Sequence, residues 1–390
     1  MIAWFRYICL IVSLIITMPE LLSAQRLVSQ RQEDVEAGLL YNESVYILSN
    51  YSCLSSNSPE KLSLDELLRK QIEGFYFYLK RDTETNVLLL RKPDGTFTPF
   101  SESLEAIKTA LDADSTKVMT LFLDFYVETE LESSFKEIGL MEYVLEYDTK
   151  NGWPSLKDML SSGKRLVVFE VQKHLNSPSW LHNMRDFVEH TDADWGNQPE
   201  GVESFDERLK KNLSLFTGYK FLETSRGNSN DISALARQTP YLIESFKRAW
   251  IRDGRVPNFI LVDKYYAWLD VSLVTFRNFD IIYGAVTNNN ELLNYVNWDG
   301  MSNYTTGKYC FPLEPGAELM LSPISPGYRI EPATVYVSGT QRKAFASDFK
   351  ARPLRIDEDI EIYLPFEGDE KDGSSNHNLT VSRNVEFIQD

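Results

Sequence analysis

Lys117–Tyr126 reads KVMTLFLDFY, an apolar run that only Thr120 and Asp124 interrupt once it has begun. Two shorter runs of the same kind follow, RLVVFEV at Arg165–Val171 and NFILVD at Asn258–Asp263. Near-continuous apolar strands are typical of parallel sheets, because helices cover both faces of such sheets. The three runs therefore predict the central strands of an α/β fold.

Strand patterns and helix patterns alternate around these runs from residue 44 to about residue 290. The other predicted strands are Ser44–Ser49, Phe75–Lys80, Val87–Arg91, Leu215–Phe221 and Asp280–Ala285. The predicted helices are Leu64–Ile72, Ser101–Leu111, Leu131–Ile138, Ser155–Ser162, Pro178–His190, Pro240–Arg252 and Ala267–Phe276. The alternation predicts a (β/α)₈ barrel of the TIM type over residues 44–298. A doubly wound sheet is the alternative, but the sequence has no glycine-rich phosphate loop of either common type.

The pattern changes after about residue 300, where helical periodicity ends. Short strand patterns separated by Pro- and Gly-containing turns replace it, at Glu318–Ser322, Thr334–Ser338, Ile360–Leu364 and Asn378–Ile388. We expect a small all-β, sandwich-like domain over residues 308–390, joined to the barrel by a linker near residues 299–308.

The N-terminus has the features of a secretory signal peptide at residues 1–24. Arg6 supplies a positive charge, Ile8–Met18 is a short apolar core, and Leu22–Ala24 precedes a plausible cleavage site. An uncleaved anchor is the alternative, although the apolar core is shorter than the roughly 20 residues of a membrane-spanning helix. No later apolar run is long enough to span a membrane, and residues 25–43 are polar enough to predict a loose leader. We expect an exported protein, either secreted to the extracellular space or periplasmic.

The cysteine content predicts the redox state of the thiols, and the net charge limits the classes of partner that the protein can bind. Cys53 and Cys310 remain after signal removal, and two cysteines in an exported chain predict one disulfide, with two buried thiols as the alternative. The chain has 57 acidic and 40 basic residues, a net charge of −17, and no long Lys/Arg run. Nucleic acid and anionic bilayers would be repelled by this charge, so no nucleic-acid partner is expected.

Three stretches carry a resemblance to a known family. WPSLKDML at Trp153–Leu160 with GKRLVVF at Gly163–Phe169, WIRDGRVPNFILVD at Trp250–Asp263, and Val118–Val127 resemble the phosphatidylinositol-specific phospholipase C (PI-PLC) X-domain-like phosphodiesterases. That family consists of TIM barrels that act in lipid metabolism. The resemblance covers roughly residues 44–290 and leaves the β-rich tail outside.

The resemblance implies a phosphodiesterase reaction run by two histidines, with an Arg that steadies the phosphate and a carboxylate that orients the base. The corresponding positions hold Asn50 for the first histidine, Tyr76 for the Arg and Arg91 for the second histidine. An amide is no base near neutral pH, and an Arg stays protonated. The chain has only four histidines, His174, His182, His190 and His377. The catalytic motif is therefore degenerate.

Other residues remain as candidates for chemistry. Asp124 and Asp263 end predicted strands, where barrel enzymes place their active sites, and His174 follows another strand; each also has a structural reading. Asp124 is a candidate ligand for Ca²⁺, and no other cofactor is expected. His190 with Asp192 and Asp194 resembles a weak metal site, but a solvated helix end is the favoured interpretation. Lys80 and Arg91 either make the barrel mouth positive or are surface residues of a hairpin, and the surface interpretation is favoured.

Three functions follow as hypotheses. The favoured one is a catalytically inactive PI-PLC-like protein, a pseudoenzyme that acts by binding a phosphoester, a lipid headgroup or another anionic small molecule. The second is an active phosphoric diester hydrolase with a relocated acid–base pair, for example His174 with Asp263. The third is a surface adhesion protein that acts through its β-rich tail.

Overall fold

The chain forms two compact units. The first comprises Met1–Trp250, Arg255–Phe279 and Gln341–Lys343, and the second comprises Ile251–Gly254, Asp280–Thr340 and Ala344–Asp390. The computed structural model describes residues 31–52, 63–70, 72–125, 131–172, 174, 177–192, 215–219, 247, 250–251, 254, 256, 258–262, 279–300, 304–339 and 342–355. The signal peptide and the last predicted strands at 360–364 and 378–388 lie outside these residues.

The first unit is a mixed α/β fold, as the sequence predicts. Its strands are β1 (Tyr46–Ser49), β2 (Gly74–Arg81), β3 (Leu88–Arg91), β4 (Phe97–Pro99), β5 (Met119–Asp124), β6 (Leu166–Glu170), β7 (Leu181–Asn183), β8 (Val188–Asp192), β9 (Leu215–Tyr219) and β10 (Phe259–Val262). Its helices are α1 (Leu64–Arg69), α2 (Phe100–Ala113), α3 (Leu131–Ile138), α4 (Leu156–Ser162) and α5 (Met184–Phe187), and residues 31–36 are also helical. The three deciding runs are confirmed as strands β5, β6 and β10.

Eight parallel strands form the main sheet, in the order β7-β6-β5-β2-β1-β10-β9-β8. The first of them, β1, pairs with the last, β10, from Tyr46 opposite Phe259 to Ser49 opposite Val262. A closed barrel requires a pairing of this kind between its first and last strands. No ladder joins β7 to β8 in the part of the chain that the structure describes, so closure of the barrel stays a prediction.

The predicted helix at Pro178–His190 is wrong. This segment holds β7, the short α5 and β8; β7 pairs with β6, and β8 pairs with β9. Leu181, Met184 and Phe187 recur at helical spacing, but pairing with neighbouring strands overrides that local preference. The predicted strand Val87–Arg91 is also not parallel, because β3 forms an antiparallel hairpin with β2 and β4.

Side chains of β2 alternate between the two faces of the sheet. Phe75 and Phe77 stack with ring centroids 5.3 Å apart, and Phe77 packs at 5.8 Å against Phe100 of α2. Tyr76 and Tyr78 point to the opposite face, because side chains alternate along a strand. On that opposite face, which we call the inner face, aromatic rings of the neighbouring strands form the core.

The leader predicted as loose is packed from residue 31 onward. Leu39 and Tyr41 are fully buried, and Asp34 is buried as well. The Tyr41 hydroxyl lies 2.6 Å from Thr120 Oγ1, inside the first unit. Polar composition suggested solvent exposure, but two charged residues of this segment, Arg31 and Asp34, are buried in ion pairs, of which Asp34–Arg342 at 2.6 Å is one.

The described residues of the second unit from Asp280 to Arg355 form strands and turns. The strands are β11 (Asp280–Asn288), β12 (Glu291–Leu292), β13 (Val296–Trp298), β14 (Tyr304–Thr305), β15 (Lys308–Leu313), β16 (Glu318–Leu321), β17 (Pro323–Ile324), β18 (Tyr328–Glu331), β19 (Val335–Ser338) and β20 (Lys343–Pro353), the last of which begins in the first unit. Every pairing with a defined register among them is antiparallel.

The core of the second unit centres on Trp298. Its ring lies 4.8 Å from Tyr309 and 5.1 Å from Phe311, and its indole N–H donates to Thr305 Oγ1 at 2.9 Å. The hydrogen bond satisfies the one polar atom of a fully buried side chain. This cluster explains why the aromatic residues of the tail recur on alternate strand positions.

The strand predicted at Asp280–Ala285 lies in this second unit instead of the barrel. It is the first half of β11, which pairs with β15 from Asp280 opposite Leu313 to Ala285 opposite Lys308. The pattern of one strand does not reveal its partner, which explains the misplacement. Cys310 is buried in β15 and Cys53 lies outside the described residues, so the predicted disulfide stays a prediction.

None of the helices in the described residues is both long and apolar enough to cross a membrane.

Candidate functional site

Three residues at the positions implied by the resemblance lie near the carboxyl end of β1. Asn50 directly follows β1, Tyr76 lies in β2, and Arg91 ends β3 of the hairpin. Ser52 connects these elements: its hydroxyl donates to the Arg91 carbonyl at 2.9 Å and accepts from the Tyr78 N–H at 2.8 Å. The fold thus brings these positions to one edge of the sheet.

Tyr76 is bound to Asp124, the last residue of β5. The Tyr76 hydroxyl donates to Asp124 Oδ2 at 2.7 Å. The parallel register of β2 and β5 places Tyr76 opposite Phe122 and Tyr78 opposite Asp124, so all four side chains share the inner face. Asp124 Oδ1 is buried and accepts no hydrogen bond from the residues that the structure describes, which is costly unless a further donor completes it.

Arg91 lies beside the same residues. Its guanidinium carbon lies 5.8 Å from the centre of the Tyr78 ring, near the limit of a cation–π contact. The Arg91 Nε is buried without a hydrogen-bond acceptor. Tyr76, Tyr78, Arg91 and Asp124 form what we call the strand-end cluster, which combines one fixed cation with one carboxylate.

Lys80 is not part of this cluster. Its ammonium lies 3.8 Å from the centre of the Phe97 ring, on the β2–β3–β4 hairpin. The contact supports the interpretation of Lys80 as a surface residue of the hairpin.

His174 pairs with Glu170, a contact that the sequence analysis missed. His174 Nδ1 lies 3.0 Å from Glu170 Oε2, and the ring stacks on Phe125 with centroids 4.4 Å apart. Ser177 donates to the same carboxylate oxygen at 2.5 Å, and Asn183 donates to the other at 3.3 Å. Glu170 could have been singled out because it is the only charged residue within an otherwise apolar strand.

Glu170 and Asp124 lie on opposite faces of the sheet. The register pairs Glu170 with Leu123, so the side chain of Glu170 points the same way as that of Leu123 and away from the inner face. His174 therefore binds to a carboxylate on the outer face. Within the described residues, its Nε2 is buried without a partner. Asp263, its partner in the hypothesis of a relocated acid–base pair, lies outside those residues, so that pairing stays a prediction.

His182 belongs to the aromatic core. It lies 5.7 Å from Phe169 and 5.9 Å from Trp153, and its Nε2 lies 3.2 Å from the Leu145 carbonyl. Burial lowers the pKa of His182, although the Leu145 carbonyl acts in the opposite direction. A neutral imidazole with both faces packed is a structural group and is not placed for acid–base chemistry.

Several candidates cannot be placed. Asp263 and His377 lie outside the described residues, as does Asp194, and the side chain of His190 in β8 is not described. Within the described residues, no group of three or more His, Cys, Asp or Glu side chains is arranged to hold a metal ion. Ca²⁺ at Asp124 therefore stays a prediction, as do the roles of Asn50, Tyr76 and Arg91.

Comparison with known proteins supports the family resemblance. Residues 90–199 match the family model of the PI-PLC X domain, a stretch that contains Arg91, Asp124 and His174. The resemblance of this chain to PI-PLC X-domain proteins is thereby confirmed over that stretch. Among curated proteins, none matches the sequence significantly.

Solved PI-PLC structures are similar at low identity. The phosphatidylinositol-specific phospholipase C of Listeria monocytogenes is 14% identical, with 63% of this chain and 98% of that chain covered and a TM-score of 0.40. A mutant of the enzyme from Staphylococcus aureus is 13% identical, with 62% and 97% covered and a TM-score of 0.36. Both TM-scores are below 0.5.

Proposed function

We propose that this chain is an exported, non-catalytic PI-PLC X-like protein that binds a hydroxyl-rich phosphoester through the strand-end cluster. The hydrogen bond from Tyr76 to Asp124 carries the proposal. At the position where the resemblance implies a phosphate-binding Arg, the chain has a tyrosine whose hydroxyl is committed to a carboxylate. Such a pair presents acceptor oxygens, which suit the hydroxyl groups of a cyclitol or sugar better than they suit a phosphate.

The charges of the strand-end cluster favour a ligand that carries both hydroxyl groups and a phosphate. The unpartnered Asp124 Oδ1 is an acceptor for a ligand hydroxyl. The planar guanidinium of Arg91 is suited to bind a phosphate. A phosphoester of a polyol presents both groups in one molecule.

The case against catalysis rests on the absence of histidine from the strand-end cluster. The sequence has no histidine before His174, and His174 binds Glu170 on the outer face. The Asp124 carboxylate is the one group of the cluster able to take up a proton, whereas tyrosine and arginine release protons poorly near neutral pH. A phosphodiester cleavage that needs both a base and an acid would lack the acid at the strand-end cluster.

The test is calorimetric binding and turnover with the chain from Gln25 to Asp390. The ligands are a soluble inositol-phosphate ester, free inositol and inorganic phosphate, with and without Ca²⁺, and phosphatidylinositol serves for turnover. We expect binding of the ester without cleavage. Asp124→Asn should weaken the ester and free inositol about tenfold, whereas Arg91→Gln should weaken only the phosphate-bearing ligands. Asp112→Asn, an exposed carboxylate of α2, is the matched control and should change nothing.

Clear turnover by the wild-type chain would overturn the non-catalytic proposal. The second candidate, an active hydrolase with a relocated pair, would then apply, and the His174–Glu170 contact favours it because a carboxylate holds the imidazole and leaves Nε2 without a partner. In that case His174→Gln should lower turnover at least a hundredfold, and His377→Gln should leave it unchanged.

A further inference from the structure

Exposed large apolar side chains concentrate in the second unit. In the described residues, all of them except Leu40 and Val87 belong to it: Tyr283, Leu292, Tyr295, Met320, Ile324, Tyr336, Phe345 and Leu354. Single exposed apolar residues are ordinary on protein surfaces, whereas contiguous ones mark sites of interaction. Only those of the exposed apolar residues that lie next to one another therefore indicate an interaction site.

Three of them lie at outward positions of the antiparallel pair β16–β19 and of β17, which follows β16 in the chain. Met320 of β16 lies directly opposite Tyr336 of β19, and these side chains are 42% and 75% exposed. Exposure alternates from Met320 through buried Leu321 and buried Pro323 to Ile324, which is 53% exposed. We call Met320, Ile324 and Tyr336 the apolar stripe.

The opposite side of the β16–β19 pair explains why the stripe residues face outward. Leu319, Leu321, Val335 and Val337 alternate with the stripe residues, and all four pack on or within the core cluster around Trp298. Turning the strand pair over would expose these residues instead, so packing of the opposite side fixes the orientation of the stripe.

The polar groups along the stripe are neutral or mutually satisfied. Ser322 and Thr334 lie opposite one another between Met320 and Ile324, and their hydroxyl oxygens are 2.9 Å apart in a hydrogen bond. The outward positions 318, 320, 322, 324, 334, 336 and 338 hold one acidic residue, Glu318, and no Lys or Arg. Removing this surface from water therefore leaves no cation to desolvate and costs little in hydrogen bonds.

We propose that the apolar stripe inserts into the interface of a zwitterionic lipid bilayer. Tyrosine prefers the boundary between headgroups and acyl chains, while isoleucine and methionine favour the acyl region itself. The stripe is too small to form a stable protein interface, which needs about 800 Å² on each partner. A bilayer accepts a small patch, with an expected affinity on the order of 10⁴ M⁻¹, similar to that of a single acyl chain.

The charge of the protein favours a zwitterionic over an anionic surface. The chain has a net charge of −17, and the stripe offers no basic residue to offset repulsion from anionic lipid. Binding through apolar insertion alone should be insensitive to salt on neutral vesicles. The stripe also lies outside residues 90–199, so this proposal does not depend on the strand-end cluster or on the family match.

The test is vesicle flotation of the chain from Gln25 to Asp390. We expect it to float with phosphatidylcholine vesicles at about millimolar lipid, and to float less when phosphatidylserine is included at low salt. Ile324→Ser and Tyr336→Ser should each weaken binding to phosphatidylcholine about tenfold. Leu292→Ser, an equally exposed residue outside the stripe, is the matched control and should bind like wild type. Near-ultraviolet circular dichroism of each variant establishes that it is folded.

Three results would overturn the proposal: no flotation by the wild type, equal flotation by folded stripe variants, or flotation that needs anionic lipid. Analytical ultracentrifugation tests for a fourth result that would overturn the proposal. If the stripe variants abolish self-association and leave flotation unchanged, the stripe is a protein interface. Asp124→Asn should keep full flotation while losing binding of the soluble ester, so the two proposals can fail independently.

Discussion

Removing one member of the buried Arg31–Glu73 ion pair should destabilise the protein severely. Arg31 begins the packed part of the leader and donates to Glu73 at the start of β2, with both side chains less than a tenth exposed. Burial acts to lower the pKa of Arg31, but Glu73, Tyr46 and Asp34 outweigh it and raise that pKa. The arginine is therefore charged in the folded protein, and its loss would leave a buried carboxylate without its cation.

The structure sets the size of the effect. Breaking a buried pair by removing one partner costs about 3–5 kcal/mol. Glu73→Gln keeps an acceptor for the Ile47 N–H at 3.2 Å and leaves Asp34 near Arg31 at 3.4 Å, so we expect about 3 kcal/mol. Arg31→Met isolates the Glu73 charge and should cost about 4 kcal/mol. The double variant should cost at least about 1 kcal/mol less than the sum, because the two residues interact.

Urea unfolding followed by circular dichroism measures these free energies. Glu132→Gln is the matched control, since Glu132 pairs with Lys136 on the exposed surface of α3, with side chains 45% and 62% exposed. Such surface pairs contribute less than about 1 kcal/mol. A cost below 1 kcal/mol for Glu73→Gln, or additive costs in the double variant, would refute the conclusion that the leader is an integral part of the first unit.

Three further predictions concern the first unit. Arg165→Met should cost about 3 kcal/mol in urea unfolding, because the guanidinium donates to three backbone carbonyls at and after the end of α2 and all three hydrogen bonds would be lost. Gly74→Ala should abolish soluble expression, since the new Cβ would lie 2.1 Å from the Thr120 carbonyl, whereas Gly163→Ala, in open space but at positive φ, should cost only about 1 kcal/mol. Burial lowers the pKa of His182, so the unfolded chain binds a proton there below about pH 6.5 and the folded chain does not; wild type should lose more stability than His182→Gln between pH 7 and pH 5.

The sequence was most informative where structure is decided by local composition. The apolar runs became β5, β6 and β10 because strands buried on both faces need apolar side chains at every position. The sequence was misleading where pairing with a strand far away in the chain determines the structure. Pro178–His190 is divided between two strands by pairing with β6 and β9, and Asp280–Ala285 belongs to the second unit by pairing with β15.

The structure of the leader also depends on residues that are distant in the chain, in this case through ion pairs. Arg31, Asp34 and Glu43 are charged, and charged residues are almost never fully buried unless they are paired. Their partners are Glu73, Arg342 and Lys343, the last two about 300 positions away in the chain. A loose leader is the correct expectation for such a composition until the pairing is known.

Some features of the strand-end cluster can be read from the sequence, whereas others depend on strand register. The absence of any histidine before His174 can be read from the sequence, because no alignment can place a histidine where the chain has none. The partner of Asp124 cannot be read there, since it depends on the register that sets Tyr78 opposite Asp124 and leaves Tyr76 one step inward, within 2.7 Å of the carboxylate. A shift of β2 by one residue would turn both tyrosines to the outer face, together with the hydroxyl that occupies Asp124 Oδ2. The chemistry proposed for this site therefore rests on the register of two strands as much as on the residues themselves.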